Sequence, residues 1–168
     1  DHRIAAFLKL PNVETYLASN LSAGDAVAFG ADHIVLATGA TWRRDGVGHR
    51  QRTALPISDC GPAILTPDDI LAGQNPGDGP VLVYDDDGYI MAGLIAEKLA
   101  RDGHAVTLMT PDSMVSPWTE NTLEQHAIQR RLLETGVTLL TGRRLVSLNG
   151  GARHACVYTE REAETDAA

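Results

Sequence analysis

The stretch Val81–Met109, VLVYDDDGYIMAGLIAEKLARDGHAVTLM, decides the fold. Val81 to Tyr84 is a continuous apolar run, the pattern of a strand buried on both faces of a parallel sheet. Ile90, Leu94, Ile95 and Leu99 then recur at helical spacing, which gives one apolar helix face. Gly103 follows the last periodic turn, where a helix end favours positive φ. Ala105 to Met109 is apolar again. Strand, tight turn, helix, turn and strand make a βαβ unit of the kind that opens a dinucleotide-binding domain.

The tight turn is wrong for that ligand. A dinucleotide turn reads G-x-G-x-x-G, so that backbone can approach a pyrophosphate at the helix N-terminus. In register this chain offers Asp86-Asp87-Gly88-Tyr89-Ile90-Met91, which keeps the middle glycine only. Asp85 to Asp87 would face two phosphate charges. At ~4 Å and an effective dielectric of ~20, each such repulsion is worth roughly 4 kcal/mol. Met91, in place of the third glycine, should keep the helix away from the strand. Thr110-Pro111 stands where an acid would bind a ribose. Asp86, Gly88 and Met91 therefore read as a degenerate dinucleotide turn, its carboxylates expected to accept from the helix N-terminal N–H groups instead.

Outward from this unit, Ile4, Phe7, Leu8 and Leu10 predict a short helix before Pro11. Val13–Ala18 and Asp32–Gly39 read as strands, and Ser22–Asp25 as a turn or helix start. Residues from about Trp42 to Gly61 lack periodicity and read as loop. Thr66-Pro67-Asp68-Asp69 is a good helix start, with Thr66 at the N-cap and Pro67 at the first helical position. Gly73 to Pro80 is the best linker candidate. A helix follows Ser116–Gln125, its reciprocal cap expected from Asn121 with Glu124 or Thr122 with Gln125. Trp118 in that loop reads either as a residue near a cofactor or interface, or as a loop anchor. Val137–Thr141 is a third strand, and Arg144–Leu148 with His154–Tyr158 suggests a β-hairpin. Thr159–Ala168 contains no recognisable element, and both ends look cut, as in an excised fragment of a longer protein. The fold class is α/β: a Rossmann-like, three-layer nucleotide-binding domain with a mainly parallel sheet plus a β-hairpin.

With 168 residues and a net charge of −8, the chain can bury a core but lacks the basic face that nucleic acid or an anionic membrane requires. No apolar run is long enough to span a bilayer, and the expected location is the cytoplasm. Cys60 and Cys156 have no metal or redox spacing and are expected reduced and buried. The six histidines are scattered, and no metal site is expected.

Ala31-Asp-His-Ile-Val-Leu-Ala-Thr-Gly-Ala-Thr-Trp-Arg-Arg44 resembles the segment that closes the flavin-type lobe of flavoproteins with two dinucleotide domains. Tyr84-Asp-Asp-Asp-Gly-Tyr-Ile-Met-Ala-Gly93 with Ser116-Pro-Trp-Thr-Glu-Asn-Thr-Leu-Glu-Gln125 is more specific. Together they resemble the C-terminal half of the trimethylamine, dimethylamine and histamine dehydrogenases, relatives of 2,4-dienoyl-CoA reductase in the NADH:flavin oxidoreductase (old yellow enzyme) group.

The resemblance implies a full-length iron–sulfur flavoprotein oxidoreductase with an N-terminal (β/α)8 barrel carrying FMN and a [4Fe–4S] cluster. Two nucleotide-binding-like lobes would follow, the outer one holding ADP or FAD. Residues 1–45 would then be the terminal part of that outer lobe, 46–76 a linker, and 77–168 the inner, NAD(P)-domain-like lobe. Thr38 and Gly39 would approach the ADP or FAD, with Asn20 and Leu21 near the adenine. The implied partners are the flavin barrel and the rest of the nucleotide lobe, with an electron-transfer protein or NAD(P)H, and a homodimer among the open assemblies. On this reading the chain is a non-catalytic domain of an amine-dehydrogenase type enzyme, holding no cofactor alone. An NAD(P)H-binding domain of a flavin reductase, and a scaffold domain without nucleotide, remain open alternatives.

Overall fold

The computed structural model describes residues 2–58 and 63–166; Cys60 lies outside them. The chain divides into two compact units, Asp1–Gly39 and Ala40–Ala168. None of the described helices is long and apolar enough to cross a membrane.

The first unit holds helices α1 (His2–Phe7) and α2 (Ala23–Ala28). α2 begins at a reciprocal cap: the Asp25 N–H donates to Ser22 Oγ at 3.2 Å, and the Ser22 N–H donates to Asp25 Oδ2 at 3.0 Å. The two expected strands, Val13–Ala18 and Asp32–Gly39, do not form. Strands need an edge to pair with, and both described sheets lie wholly in the second unit. Val35 and Leu36 are accordingly 87% and 83% exposed.

The second unit is built on β1 (Val81–Tyr84), α4 (Met91–Arg101), β2 (Val106–Met109), α5 (Gln125–Glu134) and β3 (Thr138–Leu140), preceded by the short helix α3 (Pro67–Leu71). The three strands form a parallel sheet in the order β1-β2-β3. In α3, the Asp69 carboxylate accepts from the Thr66 N–H at 2.7 Å and from Thr66 Oγ1 at 2.8 Å. Ahead of α5, Pro117–Glu120 forms a 3-10 helix, and α5 starts at Gln125 behind Glu124, so neither expected reciprocal cap forms. The Thr122 hydroxyl bonds the Glu124 carboxylate instead, at 2.6 Å.

The expected hairpin is a separate sheet, not an extension of the parallel one. β4 (Arg143–Leu148), β5 (Ala152–Cys156) and β6 (Glu162–Thr165) run antiparallel in sequence order. β6 arises from the tail in which no element was expected, and it is held by pairing with β5 from Ala152↔Thr165 to Ala155↔Glu162.

Alternation along the parallel strands separates two cores, one on each face of their sheet. Val106 and Leu108 pack with Ile95, Leu99, Ile128 and Leu132 of α4 and α5. Met109 packs with Leu145, Leu148 and Leu55 on the antiparallel side. The layers are thus helices, parallel sheet and antiparallel sheet. Leu55 and Ile70, from the span 46–76, are buried in these two cores. Between α4 and α5, the largely buried Glu97 is paired by Arg101 at 2.6 Å and Arg131 at 3.1 Å.

Candidate functional site

The candidate site is the turn between β1 and α4, where three carboxylates follow an apolar strand. They are not equivalent. Asp85 is 2% exposed. Its Oδ1 accepts from the Gly88 N–H at 2.8 Å and the Asp87 N–H at 3.1 Å, closing the turn on itself. Its Oδ2 is buried without a hydrogen-bond partner. Burial pushes the Asp85 carboxyl up to about 6; the two N–H bonds oppose that shift, and Asp87 and Asp112 add to it.

Asp86 turns outward into the chain 48–51. It accepts from the Arg50 N–H at 3.0 and 3.1 Å and from the Gln51 N–H at 3.0 Å. The Gly48 N–H donates to the Gln51 carbonyl at 2.8 Å, so these residues form a tight turn wrapped around the carboxylate. Asp87 is exposed. None of the three caps the helix as expected. α4 begins at Met91 behind Ile90, with no side-chain cap. Five residues separate Asp85 from Met91, and its Oδ1 serves the turn N–H groups of Asp87 and Gly88 instead.

Gly88 has φ +69°, and a Cβ there would stand 3.2 Å from Asp112 Oδ2, 3.3 Å from Trp118 Cδ1 and 3.4 Å from Pro117 Cγ. The Trp118 N–H donates to the Gly88 carbonyl at 3.0 Å. This backbone bond fastens the segment 112–120 over the turn, while the Trp118 side chain itself is 57% exposed. Arg50 forms an ion pair with Asp112, which joins the two loops above Gly88.

Met91 opens α4; it is half-buried there and packs on the helix-side core. A close approach of α4 to α5 occurs at Gly93, where a Cβ would lie 2.9 Å from Ile128 Cγ2 and 3.4 Å from Ser116 Oγ. Ser116 is fully buried in the left-handed region, at φ 49°, and its Oγ has no partner. The sequence reading missed Gly48, Gly93, Ser116 and Asp112. Gly93 was visible as a glycine inside a helical pattern, but Gly48, Ser116 and Asp112 carry no local signal.

Asn20, Leu21, Thr38 and Gly39 all lie exposed in the first unit. Gly39 has φ +78°, and nothing stands within 4 Å of a Cβ built on it. Asn20 and Leu21 directly precede the Ser22 cap of α2. Cys156 is half-buried, not buried, and free. Hydrogen bonds from Thr159 and from the Tyr158 and Thr159 backbone bring its thiol down to about 7. No group of three or more His, Cys, Asp or Glu among the described residues could hold a metal ion.

Residues 65–153 match the family described as OYE-like second alpha/beta domain. The chain is 36% identical over 121 residues to dimethylamine dehydrogenase from Hyphomicrobium sp. (strain x), covering 71% of this chain and 16% of that protein. Histamine dehydrogenase from Rhizobium sp. 4-9 superposes on 99% of this chain at 40% identity with a TM-score of 0.84. The 6-hydroxypseudooxynicotine amine oxidase from Pseudomonas geniculata N1 does so over 99% at 38% identity, with a TM-score of 0.80. The chain spans 26% and 25% of those two structures.

Proposed function

Because the chain belongs to the OYE-like second alpha/beta domain family, we propose that it is a non-catalytic, nucleotide-domain-like module of an amine-oxidising flavoprotein oxidoreductase. The observation that carries this reading is the closed turn. A pyrophosphate over Gly88 would need the space that Asp112, Pro117 and Trp118 occupy, and it would face Asp86 and Asp87. The residues present do not fit NAD(P)H. The order of β1, α4, β2, α5 and β3 supports a Rossmann-like origin for the second unit.

The first unit supports a different assignment. Asn20, Leu21, Thr38 and Gly39 are exposed, and nothing stands within 4 Å of a Cβ built on Gly39, which fits one wall of an ADP or FAD site. We assign 1–45 to the end of that outer lobe, 46–76 to the connection, and 77–168 to the inner lobe. FMN and a [4Fe–4S] cluster would be held by polypeptide outside this chain, since the described residues offer one cysteine, Cys156, and no ligand group for a cluster. The module would pack on the flavin barrel and the remaining nucleotide lobe and shape the surface met by an electron acceptor.

The test is calorimetric titration of the 168-residue protein with NADPH and NADH. No heat of binding is expected from either. Micromolar NADPH binding would overturn the closed-turn reading and favour an NAD(P)H-dependent reductase domain.

A further inference from the structure

Three segments of the second unit meet around a hollow of about 590 Å³ that opens widely to solvent. Asp87 and Tyr89, the neighbours of Gly88, come from the β1–α4 turn; Trp118, Asn121 and Thr122 come from the segment behind it, and His49 from the turn 48–51. Their backbones are tied together. The Trp118 N–H donates to the Gly88 carbonyl at 3.0 Å, and the Arg50 N–H donates to the Asp86 carboxylate.

The lining combines aromatic rings with an unpaired charge. Tyr89 and Trp118 are both exposed, and these are the side chains that dominate interface energetics. The Asp87 carboxylate has no hydrogen bond and no ion pair among the described residues. Asn121 gives an amide N–H to the Trp118 carbonyl at 3.3 Å, which leaves its Oδ1 to accept. Arg50, beside His49 in the chain, is already paired with Asp112.

This chemistry selects one kind of occupant. An anion would face Asp87 on a chain of net charge −8. A neutral apolar group would strip water from Asp87 without replacing it. No group of three or more His, Cys, Asp or Glu among the described residues could hold a metal ion. A lysine ammonium is compact and strongly hydrated, whereas a guanidinium forks onto a carboxylate, stacks on aromatic rings and keeps further N–H groups for an amide oxygen. The open rim suits a cation held from outside by its own backbone.

We propose that this hollow is a protein docking point that takes an arginine side chain of a partner protein, its guanidinium on Asp87 and its stem along Tyr89 and Trp118. Tryptophan, tyrosine and arginine are the residue types that carry most binding energy at interfaces. The proposal depends on neither the oxidoreductase reading nor the nucleotide reading.

Tryptophan emission tests it, because the chain has two tryptophans and Trp42 does not line the hollow. In a Trp42→Phe background, N-acetylarginine amide should change Trp118 emission saturably in the millimolar range, more weakly as salt is added. N-acetylcitrulline amide has the same shape without the charge and should bind at least about tenfold more weakly. The blocked lysine should bind at least about threefold more weakly, and so should methylguanidinium, which lacks the stem, by about the same factor. Asp87→Asn keeps the backbone N–H that Asp85 accepts. It should weaken blocked arginine at least about fivefold, with far-UV circular dichroism unchanged, and Tyr89→Leu should weaken it at least about twofold. The proposal fails if blocked arginine gives no saturable change, if citrulline or lysine binds equally well, or if Asp87→Asn has no effect. Equal binding of methylguanidinium would identify a free ligand, and a dimer that Asp87→Asn dissolves would identify a second copy; either overturns the assignment to a partner protein.

Discussion

Asp86 and Gly48 leave no room for a side chain between them: a Cβ on residue 48 would stand 2.3 Å from Asp86 Oδ2. The carboxylate cannot simply swing aside, because the N–H groups of Arg50 and Gln51 hold it. Gly48→Ala and Asp86→Ala should therefore each lower stability by about 1–3 kcal/mol, the second by losing hydrogen bonds to a charged group. The double variant should be far from additive, since without the carboxylate the alanine methyl at residue 48 loses its 2.3 Å contact and meets only the Cβ of residue 86, at 3.1 Å. Urea unfolding of the four proteins measures the coupling. Additive losses would show that the turn 48–51 is held by something other than Asp86.

Gly93→Ala sets two effects against each other. In an exposed helix interior the change stabilises by about 1 kcal/mol. Here the new methyl would lie 2.9 Å from Ile128 Cγ2, and overpacking of a tight core contact costs about 1–3 kcal/mol. The net expectation is a lower Tm. Ile128→Leu removes the offending Cγ2, so Gly93→Ala should cost less in that background. Thermal melts of the four proteins decide it; a raised Tm in the single variant would mean that α4 and α5 separate freely.

The Cys156 thiol, held down to about 7 first by Thr159, should be about half thiolate at neutral pH. Site-resolved mass spectrometry of iodoacetamide labelling should give a rate midpoint near pH 7. In Thr159→Ala the midpoint should move up toward the ordinary thiol range. An unchanged midpoint would assign the shift to the backbone N–H groups.

The βαβ core was legible because local pattern and final environment agree there. Val81–Tyr84 is apolar throughout and became β1 with those bounds, and the periodic stretch from Ile90 became α4. β6 was not legible because Glu162-Ala-Glu-Thr165 has little intrinsic strand preference, and its pairing with β5 supplies what its side chains do not. The opposite failure occurred at Asp32–Gly39, where the strand pattern is present but no pairing edge is. At the site, the acidic turn showed in the sequence and its wiring did not. Asp86 bonds a segment 35 and 36 residues away, and Trp118 reaches back to Gly88 across β2.

Asp85 should make stability fall as pH rises through the mildly acidic range. In the fold its carboxyl titrates at about 6, against 3.8 for the ordinary group. Between those two values the folded chain binds more protons than the unfolded one, so stability decreases with increasing pH and levels off above about 6. A shift of this size corresponds to roughly 3 kcal/mol across the window. The physical cause is the buried Oδ2, which has no partner and tolerates a proton better than a charge. His154 works in the opposite sense, because burial lowers its imidazole and protonation below the usual histidine range costs stability. The two are separated by Asp85→Asn, which keeps an oxygen for the Asp87 and Gly88 N–H groups and cannot ionise. Relative to wild type, the variant should gain stability steadily from pH 4 to pH 6 and hold that gain above it. Urea midpoints at four pH values across that range measure the difference, and a difference that does not change with pH would show that Asp85 titrates like an exposed carboxylate.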